Sequence, residues 1–289
     1  MQNNRFTRRH FLKAAAATTA ATTATVVFPQ IISAQALGAN NRLNVALFGA
    51  GNRMRQILPS IIEGGTNVVA MCDMDAEQIV MTKAGSQAKI GITADSAKGK
   101  KAAEPAPLSA VATALEKTKV YEDYRKMLDA EKSVDAVIIA CGQRWHAHMS
   151  KAALAAGKHV FCEKPLCHSV DEARMLCELG KQTKLVTEVG SQGGTSDSFR
   201  RSMEIIQGGL LGQIHEVHCW SNRGFPPSAA LDMNPDPMPQ GLNWDFWCGP
   251  SAVLPYKNYY PRGCLAWGRW FEYGDGHLAD MGSHVLNLP

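Results

Sequence analysis

The sequence predicts a doubly wound α/β fold, in which helices cover both faces of a parallel sheet. From residue 43 onward, short apolar runs alternate with stretches of helical length, which is the pattern of repeated strand–helix–strand units. The runs are apolar at successive positions, as strands buried on both faces must be. The first run ends in a glycine-containing turn that opens a helix, as the first strand of such a sheet often does.

The predicted elements follow one another in a regular order. We expect strands at residues 43–48, 67–72, 119–121, 134–140, 158–162 and 184–189. We expect helices at residues 52–63, 76–84, 123–130, 145–156 and 170–181, because each stretch has helical length and helical apolar spacing. Residues 83–118 interrupt this order, since they are rich in Ala, Lys, Gly and Ser. We expect an inserted surface excursion there.

Length and composition predict a globular protein of about two domains. The chain has 289 residues, of which 45% are hydrophobic and 19% charged, so disorder, collagen and coiled coil are excluded as the main architecture. After Gly190 the amino-acid composition changes, and Trp, Pro and Gly become more frequent. We therefore expect a first domain at residues 37–190 and a second at residues 191–289.

The first 36 residues have the features of an export leader. Arg8 and Arg9 precede an Ala/Thr-rich run at residues 14–27, and residues 34–36 read Ala-Gln-Ala, a small–x–small cleavage site. This pattern predicts a twin-arginine signal peptide and a periplasmic or other extracytoplasmic location. A membrane anchor is the alternative, but residues 29–30 (Pro-Gln) interrupt the apolar run. The twin-arginine machinery carries folded proteins, so a cofactor could be bound before export.

The charge balance gives no support for a nucleic-acid partner. The formal net charge is +4, and the leader contains four cationic residues and no acidic one. Removing those four leaves 26 basic against 26 acidic residues, so the mature part is neutral. A neutral mature chain also gives no support for an anionic membrane surface as a partner.

The first candidate site is the turn after the first strand, which contains Gly49 and Gly51 followed by Asn52 and Arg53. Glycines are needed where the backbone turns tightly and a pyrophosphate approaches the helix N-terminus. Asp73 ends the next strand, about 20 residues further on, where a carboxylate binds a ribose 2′-hydroxyl. This predicts a Rossmann-type dinucleotide site. Asp73 favours NAD over NADP, although the nearby Arg53 leaves NADP open, and a tight turn without a ligand is the alternative.

Two further motifs contain titratable side chains. Glu163, Lys164 and Pro165 follow an apolar strand-like run, so they lie at the sheet edge where ligands of open α/β sheets bind. Asp280 and His284 share one face if their segment is helical, where the carboxylate can orient the imidazole and raise its basicity. Taken singly, these motifs are more typical of a solvated turn and of an ordinary helix-surface pair.

Taken together, the motifs resemble the Gfo/Idh/MocA family of sugar and polyol oxidoreductases. The resemblance includes residues 121–124 (Tyr-Glu-Asp-Tyr) and 145–147 (Trp-His-Ala), and it covers the chain from Asn41 onward. The leader and residues 242–250 (LNWDFWCGP) are similar to the exported bacterial branch of this family. The resemblance implies a Rossmann-type domain followed by an α+β substrate domain with an open antiparallel sheet.

The resemblance also implies roles for individual residues. Lys164 and His284 would be the catalytic pair, with Asp280 as their partner and His146 beside the nicotinamide. Oxidation of a secondary alcohol needs a base within hydrogen-bonding reach of the hydroxyl, which suits His284, while Lys164 would stabilise the developing alkoxide. The expected cofactor-binding residues are Gly49, Gly51, Asn52, Arg53, Asp73, His146, Glu163, Lys164 and Pro165.

Four features depart from the family pattern. Residues 141–144 read Cys-Gly-Gln-Arg where the family usually has Thr-Pro followed by Asp or Asn, and Met54 stands where the dinucleotide fingerprint has Gly or Ala. Asn287 stands where an acidic residue often follows the motif histidine. The chain ends five residues after His284, whereas relatives continue. We expect an incomplete second domain, and homo-oligomer formation stays open.

The expected function is a dehydrogenase that acts on a sugar, polyol or glycoside with a retained NAD or NADP. The alternatives are an NAD-retaining glycosidase of the same fold and a non-catalytic carbohydrate- or dinucleotide-binding protein. We expect no metal site, because His215 and His218 lie in a strand-like run at residues 214–220 that lacks the helical context of a zinc motif. The eight cysteines contain no CxxC spacing; most are expected in the core, and disulfides stay open.

Overall fold

The structure is a computed structural model that describes residues 42–86, 108–192, 194, 196–222, 231–261 and 263–286. The predicted leader at residues 1–36 and Asn287 lie outside the described residues. So does most of the predicted insertion, at residues 87–107.

Six parallel strands form one sheet in the order β3-β2-β1-β4-β5-β6. Their bounds are β1 Asn44–Phe48, β2 Asn67–Cys72, β3 Lys119–Tyr121, β4 Ala136–Ile139, β5 His159–Glu163 and β6 Thr187–Gly190. The strand order reverses direction between β1 and β4, which is the topology of the Rossmann fold. The predicted doubly wound sheet is confirmed, and β2 and β3 have the predicted bounds.

Helices connect successive strands of the sheet. They are α1 Asn52–Glu63, α2 Ala76–Lys83, α3 Leu108–Leu115, α4 Tyr124–Ala130, α5 Gln143–Ala155 and α6 Val170–Gln182. Three of them begin where a side chain accepts a hydrogen bond from the first turn, at Asp75, Asp123 and Ser169. Such N-caps satisfy amides that have no partner within the helix, so these helices begin close to the predicted positions.

Helix α3 corrects the prediction that residues 83–118 form a surface excursion throughout. Val111 and Leu115 are buried in the cluster that covers one face of the sheet, together with Leu47 and Met71. The small residues between the apolar positions of α3 hide its periodicity in the sequence. The last part of the supposed excursion therefore belongs to the core.

Neighbouring residues of the central strand pack on opposite faces of the sheet. Leu47 lies in the cluster beneath α1, with Met54 and Leu58, whereas Phe48 lies in the opposite cluster, with Met149 beneath α5. Burial on both faces is the reason that the strands are apolar at successive positions.

The chain after β6 contains short helices and an aromatic cluster. The helices are α7 Asp197–Gln207, α8 Trp244–Cys248, α9 Cys264–Trp267 and α10 Ser283–Val285, with a π-helical turn at Leu278–Gly282. Around α8 lies what we call the aromatic cluster, which consists of Leu242, Trp244, Trp247, Cys248, Tyr256, Tyr260 and Tyr273. The rings of Trp244 and Trp247 stack with their centroids 4.6 Å apart.

The strand predicted at residues 214–220 is wrong, because this stretch has no regular secondary structure. Trp220 in this stretch is 80% exposed. A strand needs a neighbour to share its hydrogen-bonding groups, and none of the described segments pairs with this one. The antiparallel sheet implied by the family resemblance stays an expectation.

None of the helices in the described residues is long and apolar enough to cross a membrane. All eight cysteines lie among the described residues, and each has a free thiol.

Candidate active site

The turn after β1 brings the backbone of the sheet and of α1 close together. Gly49 has a φ of 92°, and a Cβ on it would lie 2.7 Å from the carbonyl oxygen of Ala140. Only glycine fits this left-handed position without a clash. Gly51 precedes α1 without a side-chain cap, and a Cβ there would meet no atom within 4 Å. There is therefore open space beside the residue that precedes α1, as an anion site at a helix N-terminus requires.

Asp73 organises this turn from the end of β2. Its Oδ2 accepts a hydrogen bond from the amide of Ala50 at 2.6 Å, and its Oδ1 accepts one from the amide of Asp75 at 2.9 Å. The residue is 8% exposed. Burial raises the pKa of Asp73 to about 6, against the lowering effect of the two amides and of Arg55.

A cavity of about 600 Å³ opens beside Asp73, at the carboxyl ends of β2 and β3. Its lining includes Tyr121 and Glu122 from the end of β3, and Leu242 and Asn243 from the chain before α8. The volume is within the range of small-molecule pockets. This is the position in a Rossmann fold where the adenosine half of a dinucleotide binds.

Arg53 lies at the end of β5 and does not pair with Asp73. Its Nη2 is 2.8 Å from Oε1 of the buried Glu163, and its Nη1 donates to Gln56 at 3.0 Å. The cation associated with Asp73 is instead Arg55, whose Nη1 donates to the carbonyl of Ala50 at 2.9 Å. Nearness in sequence therefore does not put Arg53 beside Asp73.

Lys164 and Asp280 come together at the end of β5, although they are far apart in the sequence. Nζ of Lys164 donates to Oδ1 of Asp280 at 2.8 Å and to its backbone carbonyl at 3.0 Å. Both side chains are largely buried, with 15% and 10% of their surfaces exposed. Asp280 belongs to the π-helical turn, and His284 lies in α10 directly after it. The structure thus joins two of the three predicted catalytic residues and puts the third on the next element.

His146 is buried in α5 between two loops of the site. Its Nδ1 lies 2.6 Å from the carbonyl oxygen of Pro165, and its Nε2 lies 3.2 Å from that of Cys141. Burial lowers its pKa, which favours the neutral ring. His146 therefore supports the loop that carries Lys164.

Comparison with known proteins identifies the family. Residues 43–191 match the Gfo/Idh/MocA oxidoreductase family in its NAD-binding Rossmann fold. This chain belongs to the Gfo/Idh/MocA family. Residues 199–288 match the C-terminal α/β domain of the same oxidoreductase family, and residues 5–25 match the twin-arginine translocation signal sequence.

Several Gfo/Idh/MocA relatives are inositol dehydrogenases. The chain is 34% identical over 101 residues to inositol 2-dehydrogenase of Salmonella paratyphi B, which is 35% of this chain and 30% of that protein. It is 28% identical over 109 residues to myo-inositol 2-dehydrogenase of Thermotoga maritima, covering 38% and 32% of the two chains. The crystal structure of myo-inositol 2-dehydrogenase from Lactobacillus plantarum aligns at 25% identity with a TM-score of 0.45, covering 60% and 43%. The chain spans less than half the length of these relatives.

The residues present fit the dinucleotide of a Gfo/Idh/MocA protein. The amides of α1 suit a pyrophosphate, and the cavity beside Asp73 suits an adenosine. Glu163, Lys164 and Pro165 lie at the same edge of the sheet, at the end of β5. A metal centre has no counterpart in the described ranges, which contain no group of three or more potential His, Cys, Asp or Glu ligands.

Sequence reasoning missed Arg144, which connects helix α5 of the Rossmann fold to the aromatic cluster. Its Nε donates to the carbonyls of Trp247 at 2.8 Å and Cys248 at 3.2 Å, at the end of α8. Its guanidinium lies 3.9 Å from the centroid of the Trp247 ring, a cation–π contact. Arg144 is 2% exposed, and burial lowers its pKa to about 10. The departure from the family pattern at residues 141–144 is the signal in the sequence, but it does not name the partner.

A second missed group contains His168 and Asp275, which are close in sequence to Lys164 and Asp280. Asp275 Oδ2 accepts a hydrogen bond from Nε2 of Gln143 at 2.8 Å, and its Oδ1 lies 3.1 Å from Nε2 of His168. Burial raises the pKa of Asp275. The group joins the start of α5 and the loop after Pro165 to the segment that leads into the π-helical turn.

Proposed function

We propose that this protein is an exported NAD-dependent oxidoreductase that transfers a hydride between a sugar, polyol or glycoside hydroxyl and a retained nicotinamide cofactor. The observation that carries the proposal is the contact between Lys164 Nζ and Asp280 Oδ1 at 2.8 Å, at the end of β5. The glycine turn and the cavity beside Asp73 lie at the same edge of the sheet. The inositol dehydrogenases among the relatives support a polyol substrate.

The side chains divide the work of alcohol oxidation. A bound nicotinamide supplies the hydride acceptor. Lys164 donates a hydrogen bond to the substrate oxygen and stabilises its negative charge as the proton leaves. Asp280 holds the ammonium group in position, and His284 accepts the proton as general base.

Two observations support NAD as the cofactor. The Asp73 carboxylate lines the cavity where the ribose would bind, and it would repel a 2′-phosphate. The Arg53 guanidinium is paired with the Glu163 carboxylate at 2.8 Å, so it does not lie beside Asp73, where it would bind a 2′-phosphate.

The leader supports export with the cofactor already bound. Residues 5–25 match a twin-arginine signal, and this route moves folded proteins. The periplasm, where we place the protein, has no ready pool of free dinucleotide. The cofactor would therefore be reduced and reoxidised in one active site.

The proposal is tested by replacing Lys164 with Met. We expect Lys164→Met still to bind NADH, although more weakly because Lys164 is among the expected cofactor-binding residues, and to lose at least about 100-fold in kcat with an inositol and sugar panel. Lys181→Met is the control, since Lys181 is 67% exposed on α6 and pairs with Glu178, away from the sheet edge that carries the site. Unchanged turnover in Lys164→Met would refute the proposal. Cleavage of aryl glycosides without net NADH would instead indicate the glycosidase.

A further inference from the structure

A short segment of the C-terminal half lies against the loop that follows β2. The amide of Ala76 donates to the carbonyl of Gly241 at 3.0 Å, and the amide of Asn243 donates to the carbonyl of Met74 at 2.9 Å. Asp75 and Leu242 form an antiparallel bridge between these two contacts. We call residues Gly241–Asn243 the strap.

Two features show that the strap is a close-fitting part of the fold. Gly241 has a φ of 85°, and a Cβ on it would lie 3.2 Å from Cβ of Ala76. Leu242 is 8% exposed and belongs to the aromatic cluster. The backbone conformation of Gly241 and the burial of Leu242 therefore fix the position of the strap against the loop after β2.

Asn243 makes a side-chain connection between the strap and the end of β3. Its Nδ2 donates a hydrogen bond to Oε1 of Glu122, the residue after β3. Its Oδ1 accepts a hydrogen bond from the amide of Phe246 at 3.1 Å and so caps α8. One side chain thus fixes both the end of the strap and the start of the helix that follows it.

The strap and the ends of two strands of the Rossmann sheet line the same cavity. Asp73 and Glu122 contribute to the lining from the ends of β2 and β3, and all three strap residues belong to it as well. A ligand that fills this cavity is held between two parts of the chain that touch through the strap. Its release is then coupled to opening of those contacts.

We propose that the strap closes the adenosine end of the cofactor cleft, and that Asn243 and Glu122 are positioning residues that slow the exchange of the dinucleotide. This inference rests on the proposed function, because it takes the ligand of the cavity to be the adenosine half of NAD. It gives a structural cause for the retention of the cofactor during export. The strap acts on the rate of exchange, not on the chemical step.

Serine and glutamine variants distinguish loss of the Asn243–Glu122 hydrogen bond from disruption of the fold. Asn243→Ser keeps a good N-cap for α8 but is too short to reach Glu122. Glu122→Ala removes the acceptor, whereas Glu122→Gln keeps an acceptor oxygen and serves as the matched control. Each protein is loaded with NADH and mixed with excess NAD, and the loss of bound NADH fluorescence gives the rate of release.

We expect Asn243→Ser and Glu122→Ala to release NADH roughly tenfold faster than the wild type, which is the size expected for one net hydrogen bond. Glu122→Gln should match the wild type. The double variant Asn243→Ser/Glu122→Ala should be no faster than either single variant, because both changes remove one contact. In hydrogen exchange without cofactor, the amides of Ala76 and of residue 243 should be less protected in Asn243→Ser than in the wild type.

The possible failures are distinguishable. A wild-type protein that binds no NADH would overturn the proposed function and the retention with it. If NADH binds but dissociates from Asn243→Ser and from the wild type at equal rates, only the role of the strap is overturned. Additive effects in the double variant would show separate contacts to the ligand and would also contradict the proposal.

Discussion

Asp73 shows how burial changes the chemistry of a single residue. The sequence places a carboxylate at the end of the second strand. It does not show that both carboxylate oxygens accept hydrogen bonds from backbone amides, or that the residue is 8% exposed. These contacts depend on how the glycine turn folds back over β2. Burial brings the pKa of Asp73 to about 6, so its charge changes near neutral pH.

This pKa predicts a pH dependence of cofactor binding. Below pH 6 Asp73 becomes protonated and loses the charge that accepts the ribose hydroxyl, so NADH affinity should fall about tenfold between pH 7 and pH 5. Titrations of NADH fluorescence at several pH values measure this change. The group's contribution to stability has the opposite sign: the folded state binds the proton more tightly, so this contribution declines as the pH rises from about 4 to about 6.

The variant Asp73→Asn is the control for the pH prediction. It cannot ionise, so its weaker affinity should be flat between pH 5 and pH 7. Thermal unfolding checks that the turn survives the change, since an amide keeps only one of the two acceptor oxygens. Wild-type affinity that is independent of pH, or the same slope in Asp73→Asn, would contradict the role of the Asp73 carboxylate.

At the scale of elements, Arg144 joins α5 to α8 without a carboxylate partner in the described contacts. Its guanidinium donates to carbonyls at the end of α8 and stacks on Trp247. The C-terminal end of a helix attracts a cation, and the aromatic face adds to that attraction. Helix α5 also carries His146, which contacts the loop that carries Lys164. The Arg144 contact therefore holds the helix that supports this loop against the aromatic cluster.

We expect Arg144→Lys to destabilise the fold, because an ammonium group cannot both stack on Trp247 and donate to two carbonyls. The free energy of unfolding should fall by about 2 kcal/mol, measured by urea unfolding. Arg174→Lys is the matched control, since Arg174 is 76% exposed on α6 and pairs with its near neighbour Asp171. Equal stability of Arg144→Lys and the wild type would show that the contact does not hold the two helices together.

At the scale of the whole molecule, the sheet could be predicted from the sequence and the second half could not. The strands of the Rossmann sheet are consecutive apolar runs, so β2 and β3 have the predicted bounds. The aromatic cluster depends instead on Trp and Tyr residues from distant segments, which no local periodicity shows. Residues 214–220 have the composition of a strand but no neighbour in the described structure to pair with.

The candidate site divides in the same way. Lys164 and Asp280 could be named from the resemblance, and the structure brings them to 2.8 Å. Arg144, His168 and Asp275 could not, because their roles come from contacts between the Rossmann sheet and the C-terminal half. Long-range contacts of this kind are not encoded in the local patterns that predict helices and strands.

The proposed function requires this chain to bind and retain a nicotinamide dinucleotide. Native mass spectrometry of the purified protein, before and after addition of NAD, tests it most directly. We expect one dinucleotide per chain that survives gel filtration. A protein that carries no dinucleotide as purified, and binds none when NAD or NADH is added, would contradict it.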